Sequence, residues 1–285
     1  MKIGIIGSNG FIGRNLKNYF QDHKLHNVYN FSSYTKFKKN WINKVSSEIA
    51  IFKPEIIINC AACQILEDDK KSMQKLLNSN LHSNIYFLNK ATQNKNFKGY
   101  ITFGTKWEYD KNRNFDPLNF YAATKHANDV FLKYFSIKKK VSTVSLKIFD
   151  TFGEHDNRNK ILNLLLKSYK KNKVLEMTPG NQYLDFVHID DISKLILMIC
   201  EDIKSNKLKN FNYYTVSSKK PVKLKMLINQ LKRSLDHDLK VIMGKKKYRT
   251  NEAMSQINKI KNYPGWKPGH NLVNMIVKIF DSTND

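Results

Sequence analysis

The chain has 285 residues, 41% hydrophobic and 12% aromatic, a composition that excludes disorder over most of its length. Lys and Arg number 49 against 24 Asp and Glu, a formal net charge of +25 that raises nucleic acid, an anionic membrane surface or a polyanionic substrate as partners. The lysines spread over the whole length, with short clusters at Lys138-Lys139-Lys140 and Lys245-Lys246-Lys247, and no aromatic-basic nucleic-acid motif accompanies them. They read as a solvated surface, with no nucleic acid and no membrane insertion expected. No apolar run approaches the roughly 20 residues of a membrane span, and the start Met1-Lys2-Ile3-Gly4-Ile5-Ile6-Gly7 is too short and Gly-broken for a signal peptide. The odd, sparse set Cys60, Cys63 and Cys200 suits a reducing compartment, so a cytoplasmic protein is expected.

Strand-like runs alternate with helix-length segments through the first half. Lys2–Ile6 is followed by a helix over Phe11–Gln21, then Val28–Phe31, a helix over Trp41–Phe52, Glu55–Asn59, a helix over Asp69–Asn94, Tyr100–Phe103, a helix over Tyr121–Phe135, and Ser142–Phe149. Such alternation predicts right-handed βαβ units and a doubly wound, Rossmann-type parallel sheet covered on both faces. Beyond residue 150 the pattern loosens: helices over Lys160–Lys173, Asp190–Ile203 and Val222–Leu235, short strands at Phe186–Ile189 and Asn212–Val216, and a turn at Pro264-Gly265-Trp266-Lys267-Pro268-Gly269. The expected division is a dinucleotide-binding domain over 1–150 and a smaller, mainly substrate-binding α/β lobe over 151–285, some of whose segments return to the first domain.

Gly7-Ser8-Asn9-Gly10-Phe11-Ile12-Gly13 directly follows the first strand and opens the first helix. Glycines there permit a tight turn and close backbone approach to a pyrophosphate lying on the helix N-terminus, so Gly7, Asn9, Gly10, Phe11, Ile12 and Gly13 are candidate cofactor contacts. Tyr121-Ala122-Ala123-Thr124-Lys125 sets a phenol and an ammonium at i and i+4 on one helix face, where the cation can lower the phenol pKa and hold a ribose. A phenol so placed can exchange a proton with a carbonyl or alcohol oxygen. Cys60-Ala61-Ala62-Cys63 has no second Cys pair or nearby His set, so no metal is expected; His188, Asp190 and Asp191 read as caps of the following helix, and Asp185 as a structural carboxylate.

Thr102-Phe103-Gly104-Thr105-Lys106-Trp107-Glu108-Tyr109 ends the fourth strand upstream of that tyrosine. Glycine turn, strand-end hydroxyl and Y-x-x-x-K in this order resemble the extended short-chain dehydrogenase/reductase family (NAD-dependent epimerases and dehydratases) that acts on nucleotide sugars. Asn59-Cys60-Ala61-Ala62, Asn80, Gln182-Tyr183-Leu184-Asp185-Phe186-Val187-His188-Ile189-Asp190-Asp191 and Gly265-Trp266-Lys267-Pro268 extend the resemblance over nearly the whole chain. It implies Thr105 as the hydroxyl that hydrogen-bonds the reacting oxygen, Tyr121 as acid/base, Lys125 as its tuner and ribose ligand, Cys60, Ala61 and Ala62 along the cofactor, and Asn80 as support for a proton relay or as a backbone-satisfying Asn. It also implies a homodimer built from two long helices of each subunit.

Departures narrow the reaction. Lys106 and Trp107 stand where the family's dehydratases carry an Asp-Glu pair, which leaves reduction of a keto sugar or epimerisation. Gly104-Thr105-Lys106-Trp107, Phe120-Tyr121-Ala122-Ala123-Thr124-Lys125 and Phe149-Asp150-Thr151-Phe152-Gly153 look most like bacterial nucleotide-sugar 4-ketoreductases such as CDP-abequose synthase. Asn30-Phe31-Ser32-Ser33-Tyr34-Thr35-Lys36 offers no acid for the ribose 2′-OH of NAD, so NADP(H) is favoured over NAD(H), with Ser32, Ser33 and either Arg14 or Lys36 toward the 2′-phosphate. The family's Arg in Q-x-R-D-F is Leu184 and its usual Asn after the fifth strand is Asp150; Arg158 and Arg249 are candidate replacements on the diphosphate, and Lys106, Trp107 and Asp150 are candidate substrate contacts. The expected activity is therefore NADPH-dependent reduction of the C4 ketone of a nucleotide-linked 4-keto-6-deoxyhexose, feeding surface polysaccharide (lipopolysaccharide) biosynthesis. Alternatives are an epimerase with tightly bound NAD and a non-catalytic dinucleotide- or nucleic-acid-binding protein.

Overall fold

The computed structural model describes residues 1–24, 27–110, 114–249, 252–254 and 260–282. Strand β1 (Ile3–Ile6) leads through the glycine turn into α1 (Phe11–Asp22); β2 (Val28–Asn30), a short α2 (Tyr34–Phe37), α3 (Trp41–Phe52) and β3 (Ile56–Asn59) follow. A long helical segment comprises α4 (Lys70–Leu76), a π turn (Leu77–His82) and α5 (Ser83–Ala91), and precedes β4 (Gly99–Thr105), α6 (Phe120–Lys139) and β5 (Ser142–Ile148). The remainder contains β6 (Asp150–Phe152), α7 (Ile161–Lys170), β7 (Leu175–Met177), β8 (Tyr183–Leu184), β9 (Phe186–His188), α8 (Ile189–Lys204), β10 (Phe211–Val216), β11 (Val222–Lys223), α9 (Leu224–Ser234), β12 (Val241–Met243) and α10 (Leu272–Asp281).

Six strands form one parallel sheet in the order β10-β5-β4-β3-β1-β2. β1, β3 and β4 are buried at every position, as both-face coverage demands. One face packs α1 and α8 around Leu16, Phe20, Ile196 and Ile199; the other packs α3, α5 and α6 around Val45, Phe87, Leu132 and Phe135. A third core joins α7, α9 and α10 through Leu165, Leu227, Leu231 and Ile276. β1 and β3 are neighbours, yet the chain leaves one for α1 on the first face and the other for the helices of the second. Their carboxyl ends form the switch point where open α/β sheets bind ligands.

The expected doubly wound sheet is what the chain forms. Helix α3 has the expected bounds, whereas the helix expected over Asp69–Asn94 carries a π turn and stops at Ala91. Helix α10 and the two- and three-residue strands β6, β7, β8, β11 and β12 were not anticipated; strands that short carry too little alternation to register. Among the described residues no helix is long and apolar enough to cross a membrane.

Two buried carboxylates fasten the later segments. Asp185 accepts from Ser217 Oγ (2.5 Å) and from Ser218 N and Oγ (2.7 and 2.6 Å), joining the residue between β8 and β9 to the end of β10. Asp191 on α8 accepts from the Gly269 and His270 amides, while its carbonyl takes the Trp266 indole N–H at 2.9 Å, so the Pro-Gly-Trp turn closes over α8. Asp185→Ala strands three donors in a site where the side chain is 1% exposed. Unfolding in urea is expected to show a loss of about 2–4 kcal/mol; an unchanged midpoint would mean that the latch contributes nothing.

Candidate active site

The glycine turn is shaped by contacts that only hydrogen permits. Gly7 has φ +79°, and a Cβ there would lie 2.6 Å from Ala61 N; a Cβ on Gly13 would lie 2.3 Å from Gly7 O. α1 therefore starts pressed against the β1 turn. Gly10, its N-cap, offers no side-chain acceptor and the first turn has no acid, so the leading N–H groups and the positive end of the helix dipole face an open cradle. That cradle fits a dinucleotide pyrophosphate. Across from it, Cys60 N donates to Ile6 O (2.8 Å), and Asn59 Oδ1 accepts from Ala61 N (3.0 Å) while its amide donates to Asn84 and Tyr100, which fixes the exit of β3.

Asn80 sits fully buried in the π turn, where its side chain grips Cys63 through both backbone groups (2.8 and 2.9 Å) and also reaches Thr124 Oγ1 (3.3 Å). It thereby ties the β3 exit to the helix that carries Tyr121. Burial pushes the Cys60 and Cys63 thiols up, so neither is poised as a thiolate.

Thr105 and Tyr121 line one cleft of about 110 Å³ beyond the ends of β4 and β5, together with Lys106, Trp107, Asp150, Arg158, Lys160 and Gln64. Thr105 Oγ1 accepts from Trp107 N (3.4 Å), which leaves its O–H as a donor toward the cleft. Asn119 caps the start of α6 through Ala122 N (2.9 Å) and sets the first turn that presents Tyr121; Trp107 meets that phenol edge-on at 6.2 Å. Lys125, one turn on, has Nζ 5.9 Å from the Tyr121 ring. The expected lowering of the phenol pKa is not what the chain's own groups produce. Burial, with the Glu108 and Cys63 charges behind it, raises Tyr121, and burial lowers Lys125 to about 8. The phenol is held protonated, the state of a proton donor.

Of the other candidates, Lys106 and Asp150 are both at the cleft and bound to each other at 2.7 Å. Arg158 is gripped by Asp156 (2.7 Å), bonds the Thr151 carbonyl and hydroxyl (2.9 Å each), and stacks 4.1 Å over the Phe11 ring, so it bridges the cleft and the glycine turn. Arg249 is exposed beyond β12 and is not among the side chains lining this cleft. Sequence reasoning missed Lys160, whose Nζ donates to Gln64 Oε1 (3.2 Å) across the cleft and whose pKa is lowered by burial and by Arg158. The cationic run Arg158-Asn159-Lys160 was the available signal.

At the end of β2, Ser32 is committed elsewhere. Its N–H and hydroxyl both donate to Glu48 of α3 (2.9 and 2.5 Å), and its carbonyl accepts the Trp41 indole N–H (2.7 Å). The stretch 30–36 carries no acid of its own, and the carboxylate that meets Ser32, Glu48, arrives from a different element. Ser33 bonds Thr35 Oγ1, and Arg14 is exposed beside the glycine turn. His188 caps α8 by accepting from Asp190 N (3.3 Å), as its position suggested.

Fold and site together define an extended short-chain dehydrogenase/reductase. The model of the NAD dependent epimerase/dehydratase family matches residues 3–213, and the chain belongs to that family, an enzyme family built around a nicotinamide dinucleotide. It is 25% identical over 280 residues to a CDP-abequose synthase of Yersinia pseudotuberculosis, covering 92% of this chain and 94% of the relative. It is 22% identical over 223 residues to a GDP-6-deoxy-D-talose 4-dehydrogenase of Aggregatibacter actinomycetemcomitans, covering 74% of each. Its fold is similar to that of a UDP-glucose 4-epimerase of Thermotoga maritima solved with UDP-glucose, at TM-score 0.81, 15% identity and full coverage of both chains. It is similar also to RMD of Pseudomonas aeruginosa complexed with NADPH, at TM-score 0.77, 14% identity, 99% of this chain and 100% of the other.

Lys125 supplies a stability test with a definite sign. Its folded pKa of about 8 lies below the ordinary 10.5, so the unfolded chain binds the extra proton between those values and the folded chain gains stability as pH rises through that window. Relative to Lys125→Met, the wild type is expected to gain up to ~3 kcal/mol from pH 8 to 10.5. Parallel stability curves would show that burial does not tax the ammonium.

Proposed function

We propose that this chain reduces the C4 ketone of a nucleotide-linked 4-keto-6-deoxyhexose, with NADPH as reductant and surface polysaccharide biosynthesis as destination. The observation that carries this reading is the convergence on one cleft of a donating Thr105 hydroxyl, a protonated Tyr121 and the cations Lys106, Arg158 and Lys160. The near end-to-end likeness to a CDP-abequose synthase supports the substrate class.

The dinucleotide, when bound along the glycine cradle and the Cys60-Ala61-Ala62 exit, supplies hydride to the ketone carbon. Thr105 donates to the ketone oxygen and orients it; Tyr121 gives that oxygen its phenolic proton as the carbonyl bond opens, so ketone, hydride and proton become one secondary alcohol. The Lys125 ammonium faces the resulting phenolate until solvent returns the proton. Lys106 from the turn after β4, with Arg158 and Lys160 from the later segments, lines the cleft and would meet the diphosphate, while Trp107, whose buried indole N–H has no partner among the described residues, and Asp150 border the sugar. Arg249, exposed beyond β12, is kept as a proposed diphosphate contact. The 2′-phosphate falls to Ser33, Arg14 and Lys36, since Ser32 is taken by Glu48. Residues 1–150 form the proposed dinucleotide domain and 151–285 mainly the substrate lobe. The outer faces of α5 and α6, which expose Tyr86, Val130, Tyr134 and Ile137, form the proposed homodimer surface.

Nicotinamide absorbance, followed with CDP-, dTDP- and GDP-linked 4-keto-6-deoxyhexoses, tests the proposal. Substrate-dependent oxidation of NADPH, faster than that of NADH and reduced by about 10²–10⁴ in Tyr121→Phe, is expected. No net consumption, with NAD retained through purification, would favour the epimerase; consumption indifferent to Tyr121→Phe would remove the phenol from the mechanism.

A further inference from the structure

Behind the cleft lies a charge cluster that the mechanism above does not use. Lys147 of β5 is fully buried, and its ammonium lies between Glu108 Oε2 (2.5 Å) and Asp129 Oδ2 of α6 (2.6 Å); His126 Nδ1 stands 3.6 Å from Glu108. Lys147 lies opposite Gly104 in the sheet register, and a Cβ on Gly104 would sit 2.4 Å from Glu108 Oε1 and 2.6 Å from Lys147 Cδ. The glycine immediately before Thr105 thus makes room for the cluster.

Glu108 faces two ways. One carboxylate oxygen accepts the Thr105 backbone N–H at 2.7 Å and the other takes Lys147, while the Thr105 hydroxyl reciprocates by accepting Trp107 N–H. A reciprocal cap of this kind fixes the turn on which Thr105 stands. The chain provides two carboxylates against one ammonium, so the cluster keeps an excess negative charge when both are ionised. Asp129 lies on the far side of Lys147 from Thr105 in this chain of contacts, and its pKa is raised by burial. Burial works to raise Glu108 too, but Lys147, His126 and the Thr105 amide outweigh it and lower the carboxyl below its ordinary value, so Glu108 is held ionised.

We propose that Glu108 is a positioning residue of the proton-delivery site: its carboxylate, anchored by Lys147, holds the backbone of Thr105 and keeps a negative charge behind the Tyr121 phenol. The consequence for turnover rests on the ketone-reduction reading, whereas the effects on Thr105 and Tyr121 do not. The groups facing the phenol and this carboxylate are Lys125, His126 and Asp129 of α6, Lys147 of β5, Cys63 after β3, and Tyr109 beyond Glu108. Among these, Glu108 and Cys63 act to raise Tyr121, and Cys63 is itself pushed toward the neutral thiol by burial.

The test is NMR of the full chain labelled with ¹³Cζ-tyrosine and ¹⁵N-threonine, with Tyr121→Phe and Thr105→Ser assigning the two signals. In Glu108→Gln, Tyr121 is expected to deprotonate at lower pH by about half a unit or more, since a facing negative charge has gone. Asp129→Asn, which removes the other carboxylate from the same lysine without touching Thr105, is expected to move it less. Glu108→Asp keeps the charge but withdraws it by one methylene, so the Thr105 amide signal should move while the Tyr121 titration stays; this variant carries the test if Glu108→Gln does not fold. With an active substrate in hand, Glu108→Asp should lower kcat at least tenfold and leave KM within about threefold, the pattern of an interaction felt at the chemical step. A Tyr121 titration unmoved by Glu108→Gln together with a Thr105 amide unmoved by Glu108→Asp would overturn the proposal. Absence of turnover in the wild type with the NMR shifts as expected would overturn the ketone-reduction reading and leave the positioning role standing.

Discussion

A fully buried ammonium constrains the centre of this protein. Lys147 stands on β5, one strand in from the edge of the parallel sheet and out of reach of solvent, and such a charge is tolerated where opposite charges reach it with good geometry. Glu108 comes from the turn after β4 and Asp129 from the third turn of α6, so satisfying one lysine fixes the strand end bearing Thr105 and the helix bearing Tyr121 in a single arrangement. Removing one partner of a buried pair costs about 3–5 kcal/mol, because the charge left behind is uncompensated. Burial works to lower the Lys147 pKa, but the two carboxylates outweigh it and raise it, so the cluster stays charged and its geometry stays specified.

The same logic of one element fixing another runs through the site. The glycine turn abuts α1 because Gly13 has no side chain; the exit of β3 is held by Asn59 and Asn80; Asn80 also touches Thr124 beside Tyr121. The glycine turn, the β3 exit and α6 are consequently linked through buried hydrogen bonds, while the cations Arg158 and Lys160 are tied to Asp156 and Gln64.

Much of this was legible in the sequence, for reasons that can be named. Ile56-Ile57-Ile58 and Ile3-Gly4-Ile5-Ile6 are short apolar runs bounded by turns, as doubly buried parallel strands must be; the glycine turn sits at a strand-to-helix junction; Tyr121 and Lys125 share a helix face by spacing. What escaped depends on contacts distant in sequence. Nothing near Lys147 announces Glu108 and Asp129, 39 and 18 residues away, and a single lysine in the strand gave no hint of its partners. Glu48 reaches Ser32 from 16 residues on, a partner that the stretch 30–36 could not reveal. The π turn at Leu77–His82 adds too small a phase shift to break helical periodicity, so it was read as plain helix. Arg249 looked equivalent to Arg158 as a sequence cation, and only the fold separates the one at the cleft from the exposed one.

The central claim, that this cleft adds a hydride and the Tyr121 proton to a sugar ketone, is tested most directly by the fate of a label. The wild type would be incubated with a nucleotide-linked 4-keto-6-deoxyhexose and NADPH carrying deuterium on the transferable face of nicotinamide C4, and the sugar product examined by mass and proton spectra. One deuterium bound at sugar C4, gained in step with cofactor oxidation, is the predicted result. A product that carries no deuterium, formed while the added cofactor stays reduced, would contradict the account.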